Sequence, residues 1–198
     1  MVERLGRSWG RGIPLALGAV LVVLGVVVAP LAMPVLPVET FIRYAQRLGI
    51  SPSTPEKLQL AELPQFFADM QGWEELAQDV SKAYLSIPAE ERATTVAFAS
   101  NYGEAGALEL YARKYPLPRV ICTHNSYWFW GVGDTPITTF IRLGGQQDDY
   151  RETYGDATLA GVHTCRYCMP YENNLNVFVA RQRLRPIKEA WGGAHRFH

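Results

Sequence analysis

The sequence predicts an α/β protein: one N-terminal membrane-spanning helix, then a small, mostly parallel α/β sandwich. Three observations carry this. A long uncharged run opens the chain, an amphipathic helix follows a proline-rich linker, and short apolar runs then alternate with helix-like segments. Hydrophobic residues make up 48% of 198 positions, so a packed core can form.

From Gly12 to Val38 the chain reads GIPLALGAVLVVLGVVVAPLAMPVLPV without a charge. As a helix this run would reach roughly 40 Å, against a hydrocarbon thickness of about 30 Å. Pro14 suits a first helical turn, and Pro30, Pro34 and Pro37 suit the exit, which places the spanning helix at about 13–33. Residues 1–12 form a tail whose Arg4, Arg7 and Arg11 assign it to the cytoplasm. Arg43 and Arg47 on the far side weaken that orientation. The rival reading is a cleaved leader, for which the apolar run is long and VVVAPLAMP a poor cleavage site. Both readings put the rest of the chain on the periplasmic or extracellular side.

Residues 13–38 are thus helix and exit, and 39–57 an interfacial helix with its linker. ETFIRYAQRL sets Phe41, Tyr44, Ala45 and Leu48 at helical spacing, and GISPSTPEK supplies the linker. Residues 58–198 form the main domain. GWEELAQDVSKAYLSI (72–87) places Trp73, Leu76, Ala77, Val80, Ala83, Tyr84 and Ile87 on one helical stripe. TTVAFAS (94–100) reads as a strand, ALELYARKY (107–115) as a helix and RVICTH (119–124) as a strand. TPITTFIRLG (135–144), LAGVHTC (159–165) and NVFVAR (176–181) continue as strands, with a polar helix QDDYRETY (147–154) between the first two. Strands alternating with helices imply a largely parallel sheet.

Charge excludes one class of function. Residues 12–180 hold 11 basic and 17 acidic side chains, and the basic residues collect at the two ends. No nucleic-acid partner is expected from a mildly acidic body.

If the first two strands are adjacent and parallel, their C-terminal ends lie side by side, where ligands of α/β sheets bind. The first delivers Asn101, Tyr102 and Glu104; the second delivers His124, Asn125, Ser126, Tyr127, Trp128 and Trp130. Amides and a carboxylate can bond sugar hydroxyls while aromatic faces cover the apolar side of the ring. Asn101, Tyr102, Glu104, His124, Asn125, Tyr127 and Trp128 are therefore the candidate substrate-binding residues. The alternative is that Asn101 turns the chain and the aromatics belong to the core.

HTCRYC (163–168) is a second constellation. Cys165 and Cys168 could form a disulfide outside the cytoplasm, stand as core thiols, or join His163 and Cys122 around a zinc ion. No metal or cofactor is assigned. Asp148 and Asp149 read as solvated, His195 and His198 as surface residues. No catalytic signature is present, and none is assigned.

Taken together, LPQFFADMQGWEEL (63–76), NYGEAGALELYARKY (101–115), THNSYWFWG (123–131) and CRYCMPYENNLNVFVAR (165–181) resemble the C-terminal extracytoplasmic part of bacterial glycosyltransferase family 39 membrane proteins. That group is dolichyl-phosphate-mannose protein mannosyltransferase-like. PLAMPVLPVETFIRYAQRLGI (30–50) is similar to the exit from that group's last transmembrane helix, and the likeness runs over about residues 13–190. The resemblance implies a polyprenyl-phosphate sugar as donor. Its catalytic acidic residues lie in a first extracytoplasmic loop that nothing here matches, so no catalytic residue carries over. The expected role is an accessory or recognition domain partnered by a membrane, a polytopic glycosyltransferase subunit, and a polyprenyl-phosphate sugar or glycan acceptor. A truncated copy, a split gene and an incomplete gene model would all fit it. The rivals are a stand-alone carbohydrate- or headgroup-binding module and an anchored redox or zinc protein.

Overall fold

The computed structural model describes residues 12–52 and 62–196. The arginines of the N-terminal tail, most of the linker and His198 lie outside them. The chain divides into two compact units, with the boundary after Phe67.

In the first unit, α1 (Gly12–Ala32) carries no charge and has no buried residue. Its 21 residues, with a mean hydropathy of 2.7 over an 18-residue window, make it long and apolar enough to cross a membrane. Pro30 stands inside its last turn rather than beyond it. A following helix, α2 (Val38–Arg47), buries Phe41, Ile42 and Ala45. Its Tyr44 hydroxyl donates to the Val27 carbonyl at 2.6 Å, and Phe41 meets Phe67 edge to face at 4.6 Å. A helical turn, α3 (Gln65–Ala68), stands at the division.

The second unit is a five-stranded sheet covered by helices. In chain order it runs α4 (Trp73–Ser86), α5 (Ala89–Arg92), β1 (Thr95–Ala99), α6 (Tyr102–Tyr111), β2 (Arg119–Cys122), α7 (Tyr127–Trp130), β3 (Thr139–Leu143), α8 (Gln147–Tyr150), β4 (Tyr154–His163), β5 (Leu175–Arg183) and α9 (Ile187–Trp191). The strands are ordered β2-β1-β3-β5-β4. β1 pairs parallel with β2 and β3, whereas β5 pairs antiparallel with both β3 and β4. Four strands therefore share one direction and β5 opposes them.

This corrects the mostly parallel expectation: the sheet is mixed. The physical reason is the connection over residues 164–174, whose only regular element is the turn Pro170–Glu172. Two strands joined without a crossover helix can pair only antiparallel. β4 also starts at Tyr154, earlier than the apolar run beginning at Leu159, and the polar helix shortens to one turn. Pairing with β5 recruits the polar residues that periodicity assigned elsewhere.

Alternation sorts the side chains onto two faces. Ala97, Ile141, Leu143, Val177 and Val179 face α4, whose Leu76, Ala77, Val80 and Ala83 complete one core. Val96, Phe140, Phe178 and Ala180 form the opposite core with Tyr150, Tyr154 and Trp191. The predicted stripe of α4 is the stripe that packs.

Candidate functional site

The C-terminal ends of β1 and β2 lie side by side, in register from Val96 with Arg119 to Ala99 with Cys122. NYGEAG is the turn from β1 into α6. Asn101, in extended backbone, is the N-cap of that helix, and its Oδ1 accepts from the Glu104 N–H at 2.9 Å. This satisfies one of the donors that a helix start leaves open. Glu104 reaches back to accept from the Ser100 N–H at 2.6 Å. The Ser100 hydroxyl ties the turn to β3 through the Leu143 carbonyl.

Beneath the turn sits a pair of buried acids. Asn101 Nδ2 donates to Glu172 Oε1 at 2.9 Å, while Glu172 Oε2 is buried without a hydrogen-bond partner. Glu104 is only 2% exposed. Burial pushes its carboxyl up to about 7, the charge of Glu172 adding to the effect. Burial also raises Glu172, against the lowering bond from Asn101. Nearby, the Arg142 guanidinium lies 4.0 Å over the Phe98 ring and favours the ionised form of Glu104.

The outer layer is aromatic. Tyr102 is exposed, its ring 5.0 Å from that of His124. Asn125 adopts a left-handed backbone (φ 52°) and starts the turn of α7. On that turn Tyr127 and Trp130 share a side, edge to face at 4.4 Å. The Tyr127 hydroxyl donates to Glu109 Oε2 at 2.9 Å, and burial, then Glu109, pushes it up to about 12. Phe129 and Trp130 are exposed.

Trp128 turns the other way. Its Nε1 donates to the Trp191 carbonyl at 2.8 Å, and Trp191 Nε1 returns a bond to the Trp128 carbonyl at 3.0 Å. Its ring stacks on His195 at 4.4 Å. The C-terminal segment continues alongside, with Arg196 bridging His124 in parallel.

The seven sequence-predicted residues thus divide by role. Tyr102, His124, Asn125 and Tyr127 stand at the accessible edge. Asn101 and Glu104 hold the turn from within, and Trp128 fastens α9, so their polar atoms bond inside the protein instead of facing outward. Sequence reasoning left Trp130 and Phe129 out of the binding set, although the spacing of Tyr127 and Trp130 signals a common face. It missed Glu172 altogether, since only the fold brings residues 101 and 172 together.

In the connection after β4, Cys165 and Cys168 stand as thiols. The Cys168 N–H donates to Cys165 Sγ at 3.2 Å, and the Cys168 thiol donates to the Cys165 carbonyl at 3.3 Å. For the four-ligand zinc alternative, no group of three or more His, Cys, Asp or Glu among the described residues is placed to hold a metal ion. Cys122 ends β2 at one sheet edge, and Cys165 follows β4 at the other. His163 is engaged elsewhere, its Nδ1 lying 3.1 Å from Asp79 Oδ2 on α4.

A separate open cavity of about 600 Å³ is lined by Thr138, Phe140, Arg181, Arg183 and Ile187, at the opposite end of β3 from Ser100 and Leu143. None of the seven predicted residues lines it. Its Arg181 is held by Glu91 at 2.8 Å. No family model, curated protein or solved structure matches this chain.

Proposed function

We propose that the protein is a membrane-anchored, extracytoplasmic recognition domain. It would serve a polyprenyl-phosphate-sugar glycosyltransferase and would not be catalytic alone. The observation that supports this best is the aromatic edge formed by Tyr102, His124, Tyr127 and Trp130 over the ends of β1 and β2. Exposed rings can stack on the apolar face of a pyranose, and the amide of Asn125 stands among them to bond its hydroxyls. The rigid floor below, Asn101 capping α6 and bonded to Glu172, holds those rings in place before a ligand arrives. The family resemblance of these same stretches suggests the glycosyltransferase context, and α1, long and apolar enough to cross a membrane, would serve as the anchor.

The test is co-purification of the full chain from its native host in mild detergent. A stoichiometric polytopic partner with extracytoplasmic acidic residues is the expected result. An unaccompanied chain would instead favour a stand-alone carbohydrate- or headgroup-binding module. That second reading rests on the same exposed rings and predicts that the lone chain binds glycan, with Trp130→Ala weakening binding about tenfold, as loss of one stacked ring would.

A further inference from the structure

The Cys165–Cys168 turn takes no part in that recognition surface, and its construction is chemical as well as structural. Two cysteines separated by two residues fold back so that the second donates both its N–H and its thiol to the first. The Cys165 N–H in turn donates to Asn173 Oδ1 at 2.8 Å, which fixes the start of the turn. Cys165 is half-buried, whereas Cys168 and Cys122 are buried at 3% and 1% exposure. Arg166, exposed, follows Cys165 directly in the chain, with its guanidinium 4.8 Å over the Tyr167 ring. Gly72 closes the other side, so near that a β-carbon there would lie 2.7 Å from Cys165 Sγ.

We propose that Cys165 and Cys168 form a dithiol–disulfide exchange site for small anionic disulfides, with Cys165 the entering thiol and Cys168 the resolving one. Cys165, as thiolate, attacks one sulfur of R–S–S–R. That S–S bond breaks, Cys165 becomes a mixed disulfide, and the departing RS⁻ takes up the proton that Cys165 gave to water. Cys168 then loses its proton to water and attacks Cys165 Sγ. The intramolecular disulfide forms and the second RS⁻ leaves as RSH. Two electrons and two protons pass from the chain to the disulfide, which becomes two thiols. Burial pushes the Cys168 thiol up, and its hydrogen bonding with Cys165 adds to this, so Cys168 waits as a thiol until a mixed disulfide forms beside it. Arg166 would draw in an anionic disulfide by its charge.

The test uses the full chain in detergent, with Cys122→Ser as background, exposed to glutathione disulfide and read by peptide mass. Wild type should lose two hydrogens across Cys165 and Cys168 and keep almost no adduct. Cys168→Ser should trap glutathione on Cys165, at least about tenfold above any adduct on Cys168 in Cys165→Ser. A dominant adduct on Cys168, a stable adduct in wild type, or an unreactive wild type would each overturn the assignment. Arg166→Glu should slow reaction with glutathione disulfide several-fold while leaving or speeding reaction with the cationic disulfide cystamine. Equal effects on both reagents would remove the anionic class. The wild-type and Arg166 measurements need no cysteine variant to fold at either position.

Discussion

Glu104 is a carboxyl group held inside the protein by the backbone N–H groups of Ser100 and Asn101, opposite a second buried acid. Its rise from 4.5 to about 7 corresponds to about 3 kcal/mol between its two protonation states. The sign follows from linkage. The folded chain holds this proton more tightly than the unfolded chain, so the stabilisation is full below about pH 4.5 and is lost as pH rises through 7. Glu172 shifts in the same direction. Glu104→Gln keeps an oxygen for the Ser100 N–H and cannot ionise. Denaturant unfolding from pH 4 to 8 should therefore show a falling stability in wild type that is flattened in the variant. A wild-type slope that survives the substitution would place the linkage elsewhere.

Two glycine-like positions set expectations at the scale of elements. Gly72 is the N-cap of α4 with φ 87°, a conformation that side chains rarely adopt. Gly72→Ala meets both that strain and the Cys165 sulfur, and should cost about 1–3 kcal/mol in denaturant unfolding. Gln182 has the reverse problem: a non-glycine residue at φ 54° near the end of β5. Gln182→Gly should stabilise by up to about 1 kcal/mol, read by the same measurement.

The elements were legible in the sequence where one periodicity governed them. Leu76, Val80 and Ala83 announced α4, and the apolar alternation of β1, β2 and β3 announced those strands. The direction of β5 was not legible, because strand direction is a property of the connection and not of apolar spacing. In the site, Tyr102, His124 and Tyr127 were found because they directly follow strands. The engagement of Asn101 with Glu172 depends on a contact across 71 positions of sequence, which no local pattern encodes.

For the molecule as a whole, α1 decides where the chain resides. An anchor predicts that the full chain stays with membranes after alkaline carbonate washing and that its intact mass includes residues 1–33. A cleaved leader predicts a shorter chain lacking α1, and intact mass spectrometry separates the two. The second unit raises a separate question at this scale. β3 and β4 are not neighbours, and β4 reaches the rest of the sheet only through β5. On a ribosome, β4 would emerge with no strand to pair with, its backbone groups satisfied only by water until β5 follows. The sheet is thus completed by the last strand to be synthesised, inserted between two that wait for it. Nascent chains halted before residue 175 should be protease-sensitive across β4, and chains extended past 183 by enough to clear the exit tunnel should become protected in a single step.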